Sequence, residues 1–291
     1  MQAINSAIGA LLDALLWPFQ AWPLTGLTVV SLVVSLGLLA AFKLTSNQHA
    51  LAAAKRRMQA NLFELRLFQD DPRLVMRVVG ELLRVQAVYL LYAFVPLLWV
   101  ALPLAILAAH LQARYGYDGL RPGHAVLVTV RMKPAAAAGA GASASAGVTA
   151  RPGVTLDAPS GLRVETPGVW AAPLRETAWR IAAERDGDYE LRISAPVTDA
   201  SAAAGVVTKR VRVTPLIVAR PVTKPSSSIW EQLWSPAEAP LPADSPIEAI
   251  DIIYPERAIA VFGFPLHWLA VFVILSTLFA FLLRPVFKVV L

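Results

Sequence analysis

The sequence predicts an α-helical membrane protein, with three transmembrane helices and a cytoplasmic helical hairpin, into which an all-β domain is inserted. Three observations carry this prediction. Hydrophobic residues make up 56% of the 291 and charged residues 16%, against about 25% charged in an ordinary soluble domain. Three runs, residues 24–42, 85–109 and 258–283, contain no Asp, Glu, Lys or Arg, and about 20 apolar residues at about 1.5 Å rise cover the roughly 30 Å hydrocarbon layer. Between the second and third runs, residues 110–257 carry 16 basic and 15 acidic side chains, the composition of a domain in water. Cysteine is absent, which excludes a disulfide framework, thiolate metal ligands and a cysteine nucleophile.

Leu11, Leu12, Leu15, Leu16 and Phe19 fall at helical spacing, so residues 1–22 read as an amphipathic helix in the outer membrane–water interface; a poorly ordered terminus is the alternative. The stretch has no basic leading region and carries Asp13 within its apolar run, which argues against a secretory signal. Transmembrane helix 1 covers residues 23–43. Residues 44–84 form the cytoplasmic hairpin, whose first arm presents Leu51, Met58, Leu62 and Leu65 as an apolar stripe of coiled-coil type. Asp70-Asp71-Pro72 reverses the chain, aspartate as N-cap and proline at the first helical position. Val75, Val78, Val79 and Leu82 of the return arm face the first. That arm continues into transmembrane helix 2, residues 85–110, with kinks expected at Pro96 and Pro103. Transmembrane helix 3 covers residues 258–284, and residues 285–291 form a cytoplasmic tail. Trp22, Tyr89, Tyr92 and Trp268 stand where interfacial aromatic anchors do.

Residues 43–84 carry eight basic against four acidic side chains, whereas residues 1–23 carry only Asp13, and Glu238, Asp244, Glu248, Asp251 and Glu256 precede the third run. The positive-inside rule then puts the N-terminus outside, the hairpin and C-terminus in the cytoplasm, and residues 111–257 outside. The expected location is a bacterial inner membrane, with lipid as a partner.

Residues 111–215 read as an extracytoplasmic β-sandwich. Strands are expected at residues 124–132, 154–156, 162–165 and 207–213, and a hairpin at 178–193 around an Asp186-Gly187 turn. Residues 134–147, all Ala, Gly, Ser and Pro, read as a flexible loop. Strands at this spacing suggest a small immunoglobulin-like sandwich, and Tyr189 fits the tyrosine near the start of a strand in such domains. Residues 216–257 are proline-rich and extended, ending in a short strand at 249–254.

His49, His110, His124 and His267 show no metal-ligand spacing, and phosphate-binding glycine loops, nucleophile elbows and paired intramembrane carboxylates are missing. No catalytic residue, metal, cofactor or specific nucleic acid is therefore expected. His267, inside the third run, is either a structural histidine near the outer interface or a functional intramembrane group. A polar stripe of Thr25, Thr28, Ser31 and Ser35, with Gly37 and Ala41 beyond it, either packs helices together or lines a hydrated groove opening inward, bounded by Lys43, Asn47, Arg84 and Gln86. Such a groove lowers the cost of moving a polar segment into the bilayer. The hairpin's basic side chains Lys55, Arg56, Arg57, Arg66, Arg73 and Arg77 either coat a solvated spacer or contact a ribosome, anionic headgroups or a nascent chain.

A span, a basic cytoplasmic hairpin cornered at Asp70-Asp71-Pro72, a second span continuous with the return arm, and a third span ending inside: this order resembles the YidC/Oxa/Get insertase superfamily in its three-span form. The resemblance implies an insertase-like membrane-protein chaperone that assists insertion or assembly of client transmembrane segments through an inward-facing polar groove and meets nascent membrane proteins or the ribosome. The competing expectation is a non-catalytic structural or assembly subunit whose outer β-sandwich binds an extracytoplasmic partner, beside another membrane subunit.

Overall fold

The computed structural model describes residues 2–45, 56–60, 63, 72–134, 153–195 and 205–287. The helices are α1 (Gln2–Leu16), α2 (Pro23–Thr45), α3 (Pro72–Tyr115), α4 (Ile229–Trp234) and α5 (Trp268–Phe287), with residues 56–60 also helical. The chain divides into two compact units, Met1–Gly26 with Ile106–Trp268, and Leu27–Ala105 with Leu269–Leu291.

The second unit is helical. Three helical stretches that run through it, Pro23–Leu44, Leu98–Tyr115 and Trp268–Phe287, are long and apolar enough to cross a bilayer, consistent with a multi-spanning membrane protein; residues 106–115 of the second stretch belong to the first unit. Leu32, Val33 and Leu36 on α2, Leu91, Phe94 and Leu98 on α3, and Ile274, Phe281 and Leu282 on α5 are exposed, the surface a lipid-facing helix presents. Pro72 opens α3, where its missing N–H costs nothing, and the helix runs 44 residues through Pro96 and Pro103. Asp70 and Asp71, and most of the first hairpin arm, lie outside the described residues. Where that arm is described, Arg57 Nη2 reaches Glu81 Oε1 of α3 at 3.4 Å.

The first unit holds the strands. They are β1 (Ala125–Met132), β2 (Thr155–Asp157), β3 (Leu162–Val164), β4 (Val169–Ala171), β5 (Glu176–Ala183), β6 (Gly187–Ala195), β7 (Gly205–Val213), β8 (Thr223–Lys224), β9 (Ile247–Ile253), β10 (Ala258–Val261) and β11 (Phe264–His267). One sheet has the order β3-β5-β1-β9-β8 with β4 paired to β5; a second has β2-β6-β7; β10 and β11 form a separate pair. Alternation does the sorting: Val126, Val128, Val130 and Met132 of β1 are buried, and every second residue of a strand shares a face. These four, with Trp179 and Ile181 of β5, Leu191 and Ile193 of β6, Val211 of β7 and Ile250 of β9, join one hydrophobic core fed by both larger sheets.

Three expectations are corrected. Residues 178–193 do form two strands, but β5 pairs with β1, β3 and β4 while β6 pairs with β2 and β7; the Asp186-Gly187 turn carries the chain from one sheet to the other. Both strands put apolar residues on one face, and two such faces are buried as well by opposing each other across a core as by lying side by side. The third helix starts at Trp268, not at residue 258, because residues 258–267 pair as β10 and β11 about a tight turn. His267 is consequently the last residue of a strand, and Trp268, 2% exposed, donates from Nε1 to Gln112 Oε1 at 2.6 Å instead of facing lipid headgroups. The strand β4 and helix α4 lay within stretches read as irregular. The expected loop at 134–147 falls almost wholly outside the described residues.

Candidate functional site

The buried part of the α2 polar stripe is Ser31 and Ser35, whereas Thr25 is exposed. Ser31 and Ser35 are fully buried, and Ser35 Oγ donates to Ser31 O at 2.6 Å and to Ser276 O of α5 at 2.9 Å. Thr28 is half-buried, Lys43 and Arg84 are exposed and Gln86 is half-buried, while Asn47 lies outside the described residues. The structure thus brings Ser31 and Ser35 together with Ser276. Gly37 has nothing within 4 Å of where a Cβ would stand. Of the hairpin cations, Arg56, Arg57 and Arg77 are exposed; Arg73 belongs to α3, and Lys55 and Arg66 lie outside the described residues.

A denser polar arrangement occupies the first unit, where the last turns of α3 meet α1 and the strands. Arg114 is 2% exposed, donating to Asp13 Oδ1 at 2.6 and 3.0 Å, to Gly9 O at 3.0 Å and to His110 O at 3.0 Å. Asn5 of α1 donates to Gln232 O of α4 at 2.9 Å. The apolar face of α1 follows, with Leu12 and Leu16 buried, so this helix is docked on protein along one face.

A helix C-terminus leaves carbonyls without intrahelical partners, and two arginines take them up. The buried Arg220 donates from its backbone to Ala113 O at 2.8 Å and from its guanidinium to Arg114 O at 3.3 Å, Tyr117 O at 3.1 Å and Leu216 O at 2.7 Å. A cation there also faces the negative end of the helix dipole. Arg257 N donates to Gly116 O at 3.1 Å, and its guanidinium pairs with Asp118 Oδ1 at 3.1 Å. Burial pushes the Asp118 carboxyl up, but the Gly119 N–H and Arg257 outweigh it and hold the group below its ordinary value.

Glu238 makes a third buried cluster. It accepts from Lys209 Nζ at 2.8 Å, from Lys224 Nζ at 3.4 Å and from Arg210 N at 3.0 Å. Lys209 shares the phase of Val207, Val211 and Val213 along β7 and is fully buried with them. Burial pushes its ammonium down to about 8, against the attraction of Glu238. Beside these clusters lie two cavities of about 500 and 390 Å³ that share Asp13, Arg210, Ala219 and Ala237. Asp188, Glu190 and Arg212 line the larger and Asn5, His110, Arg114 and Gln232 the smaller. Walls of mixed charge suit water or a polar polypeptide segment better than an apolar ligand.

Sequence reasoning found none of these partners. The available signals were a lysine in phase with three valines and an arginine ending an apolar run. Among the described residues no group of three His, Asp or Glu could hold a metal ion. The fold is a helical region with three candidate membrane-spanning helices, consistent with a multi-spanning membrane protein, and a separate multi-stranded β unit. No family model, curated protein or solved structure matches the chain.

Proposed function

We propose that this chain is a membrane-integral assembly subunit, without catalysis of its own, that displays an extracytoplasmic β unit to a partner protein. The observation that carries the reading is the junction of Arg220, Arg257–Asp118 and Gln112–Trp268. Through it the last turns of α3 and the first residue of α5 are part of the β unit's own fold. The eight basic residues of 43–84 support a cytoplasmic hairpin and an outer β unit.

An immunoglobulin-like sandwich is the proposed type of that unit. Its supports are the spatial orders β3-β5-β1-β9 and β2-β6-β7, which parallel the D-E-B-A and C-F-G orders of such domains with β9 in place of strand A. Tyr189, near the start of β6, donates from its hydroxyl to Arg185 O four residues upstream at 3.0 Å, as a tyrosine corner does.

The insertase reading is the second, favoured by the unbroken run of α3 from hairpin arm into span and by the Arg57–Glu81 contact between the arms. Photo-crosslinking in cells separates the two. One stable protein captured from Ser160 and Val206 of the β unit supports the subunit. Many nascent membrane proteins captured from Lys43 and Arg84, with none from the β unit, would move the assignment to insertase.

A further inference from the structure

The pair β10–β11 turns through Phe262 and Gly263, both at positive φ, 50° and 85°. Two positive φ values are what a two-residue type I′ turn requires, and Asn-Gly or Asp-Gly is its usual sequence. A bulky side chain at the first position is a genuine backbone outlier. Among the described residues Phe262 gains no compensating packing, being 98% exposed, and Phe264 is 71% exposed. Of the ten residues of the hairpin and its turn, only Ile259 is buried. Residues 258–266 carry no charged side chain.

The base of this hairpin is joined covalently to a candidate span. His267 is followed directly by Trp268, the first residue of α5, one of the helices able to cross a bilayer. Four residues per strand at about 3.4 Å keep the tip within about 14 Å of that point, close enough to reach the headgroup layer about 5–8 Å deep that flanks the hydrocarbon. We propose that residues 258–267 are a lipid-docking element, in which Phe262 and Phe264 insert into the headgroup–acyl boundary of the leaflet that α5 enters. The partner is the bilayer itself. Phenylalanine suits that boundary because its large apolar ring leaves water there, as on interfacial helices. This inference depends on α5 entering the bilayer and is independent of what the β unit binds.

The chain has no cysteine, so a single Phe262→Cys variant of the full-length protein accepts one nitroxide label without further changes. In lipid nanodiscs, power saturation with oxygen and with a water-soluble nickel chelate reads the label's surroundings, with Ser160→Cys as the aqueous reference and Phe281→Cys on α5 as the lipid reference. The expected result at 262 is loss of nickel accessibility relative to 160, with oxygen accessibility rising toward that at 281. Nickel accessibility equal to that at 160 would overturn the proposal in favour of a solvated tip. Shielding from both reagents would overturn it in favour of a protein contact. Phe264→Cys repeats the measurement if the first variant fails to assemble.

Discussion

Lys209 has the backbone phase of a core valine and the side chain of a cation, and Glu238 resolves that conflict. Removing one partner of a buried ion pair leaves an uncompensated charge, at about 3–5 kcal/mol. Glu238→Gln strands two buried ammonium groups, Lys209 and Lys224, and is expected to cost that much in chemical denaturation. Lys209→Met leaves Glu238 with Lys224 and is expected to cost clearly less. The same lysine sets a pH dependence. Its folded value near 8 lies below the ordinary 10.5, so between these limits the unfolded chain holds more protons and stability rises with pH. Melting temperatures of the full-length protein are expected to carry this upward contribution from about pH 8 to 10, and the Lys209→Met variant to lose it; equal slopes would show that Lys209 keeps its proton. Gly161 is a second residue-scale test. Its φ is +111° and a Cβ there would meet the Tyr189 ring, so Gly161→Ala is expected to destabilise the β unit by about 1–3 kcal/mol.

At the scale of elements, the termini of helices and hairpins decide what the regular segments cannot. The end of α3 is held by Arg220, whose guanidinium serves four carbonyls, those of Arg114, Tyr117, Thr214 and Leu216. Charge-assisted hydrogen bonds contribute about 1.5–3 kcal/mol each, and buried carbonyls left empty add desolvation cost. Arg220→Ala is expected to lower stability by about 3 kcal/mol or more. Arg220→Lys is expected to recover only part, because an ammonium is a point charge with three donors and cannot reproduce the planar fork. Tryptophan-fluorescence denaturation curves of both variants check this, and equal losses would leave no role for the fork. For β10–β11 the magnitudes are comparable: a bulky residue at positive φ costs about 1–3 kcal/mol, and removing a phenylalanine ring from water returns about 1.5–3 kcal/mol. The turn is sustainable where the ring leaves water.

For the whole molecule, the proposed topology has each of the three candidate helices crossing once. On that proposal the β unit and residues 43–84 lie on opposite sides of the membrane. Cysteines placed at Ser160 and at Gln59 test this directly. With an impermeant maleimide on intact cells, Ser160→Cys is expected to label and Gln59→Cys to label only after permeabilisation; the reverse pattern would invert the proposed orientation. A partner-displaying subunit also predicts that a variant lacking residues 118–246 loses function while still reaching the membrane, whereas an insertase core is expected to keep it.

Much of the fold was legible because its signals are local. The apolar runs mark α2, α3 and α5 whatever surrounds them; Pro72 marks a helix start; alternation marks β1, β5, β6, β7 and β9 to within a few residues. Hydropathy alone could not separate residues 258–267 from the helix that follows, since a hairpin tip facing lipid and a span have the same composition. Nor could alternation say whether β5 and β6 lie side by side or face each other, because both solutions bury the same residues. Of the predicted groove, Ser31 and Ser35 were visible as a stripe, but the hydrogen bond of Ser35 to Ser276, 241 positions away, was not. Asp13 with Arg114, Glu238 with Lys209, and Arg220 with the carbonyls of α3 are likewise long-range pairings. The sequence by itself determined that three runs are apolar enough to cross a membrane and that a β region of ordinary polar composition lies between two of them, because the hydrophobic effect acts on composition and period. Only the tertiary structure decided which sheet each strand joins, where the last span begins and which buried charges are neutralised, because those depend on contacts between residues far apart in the chain.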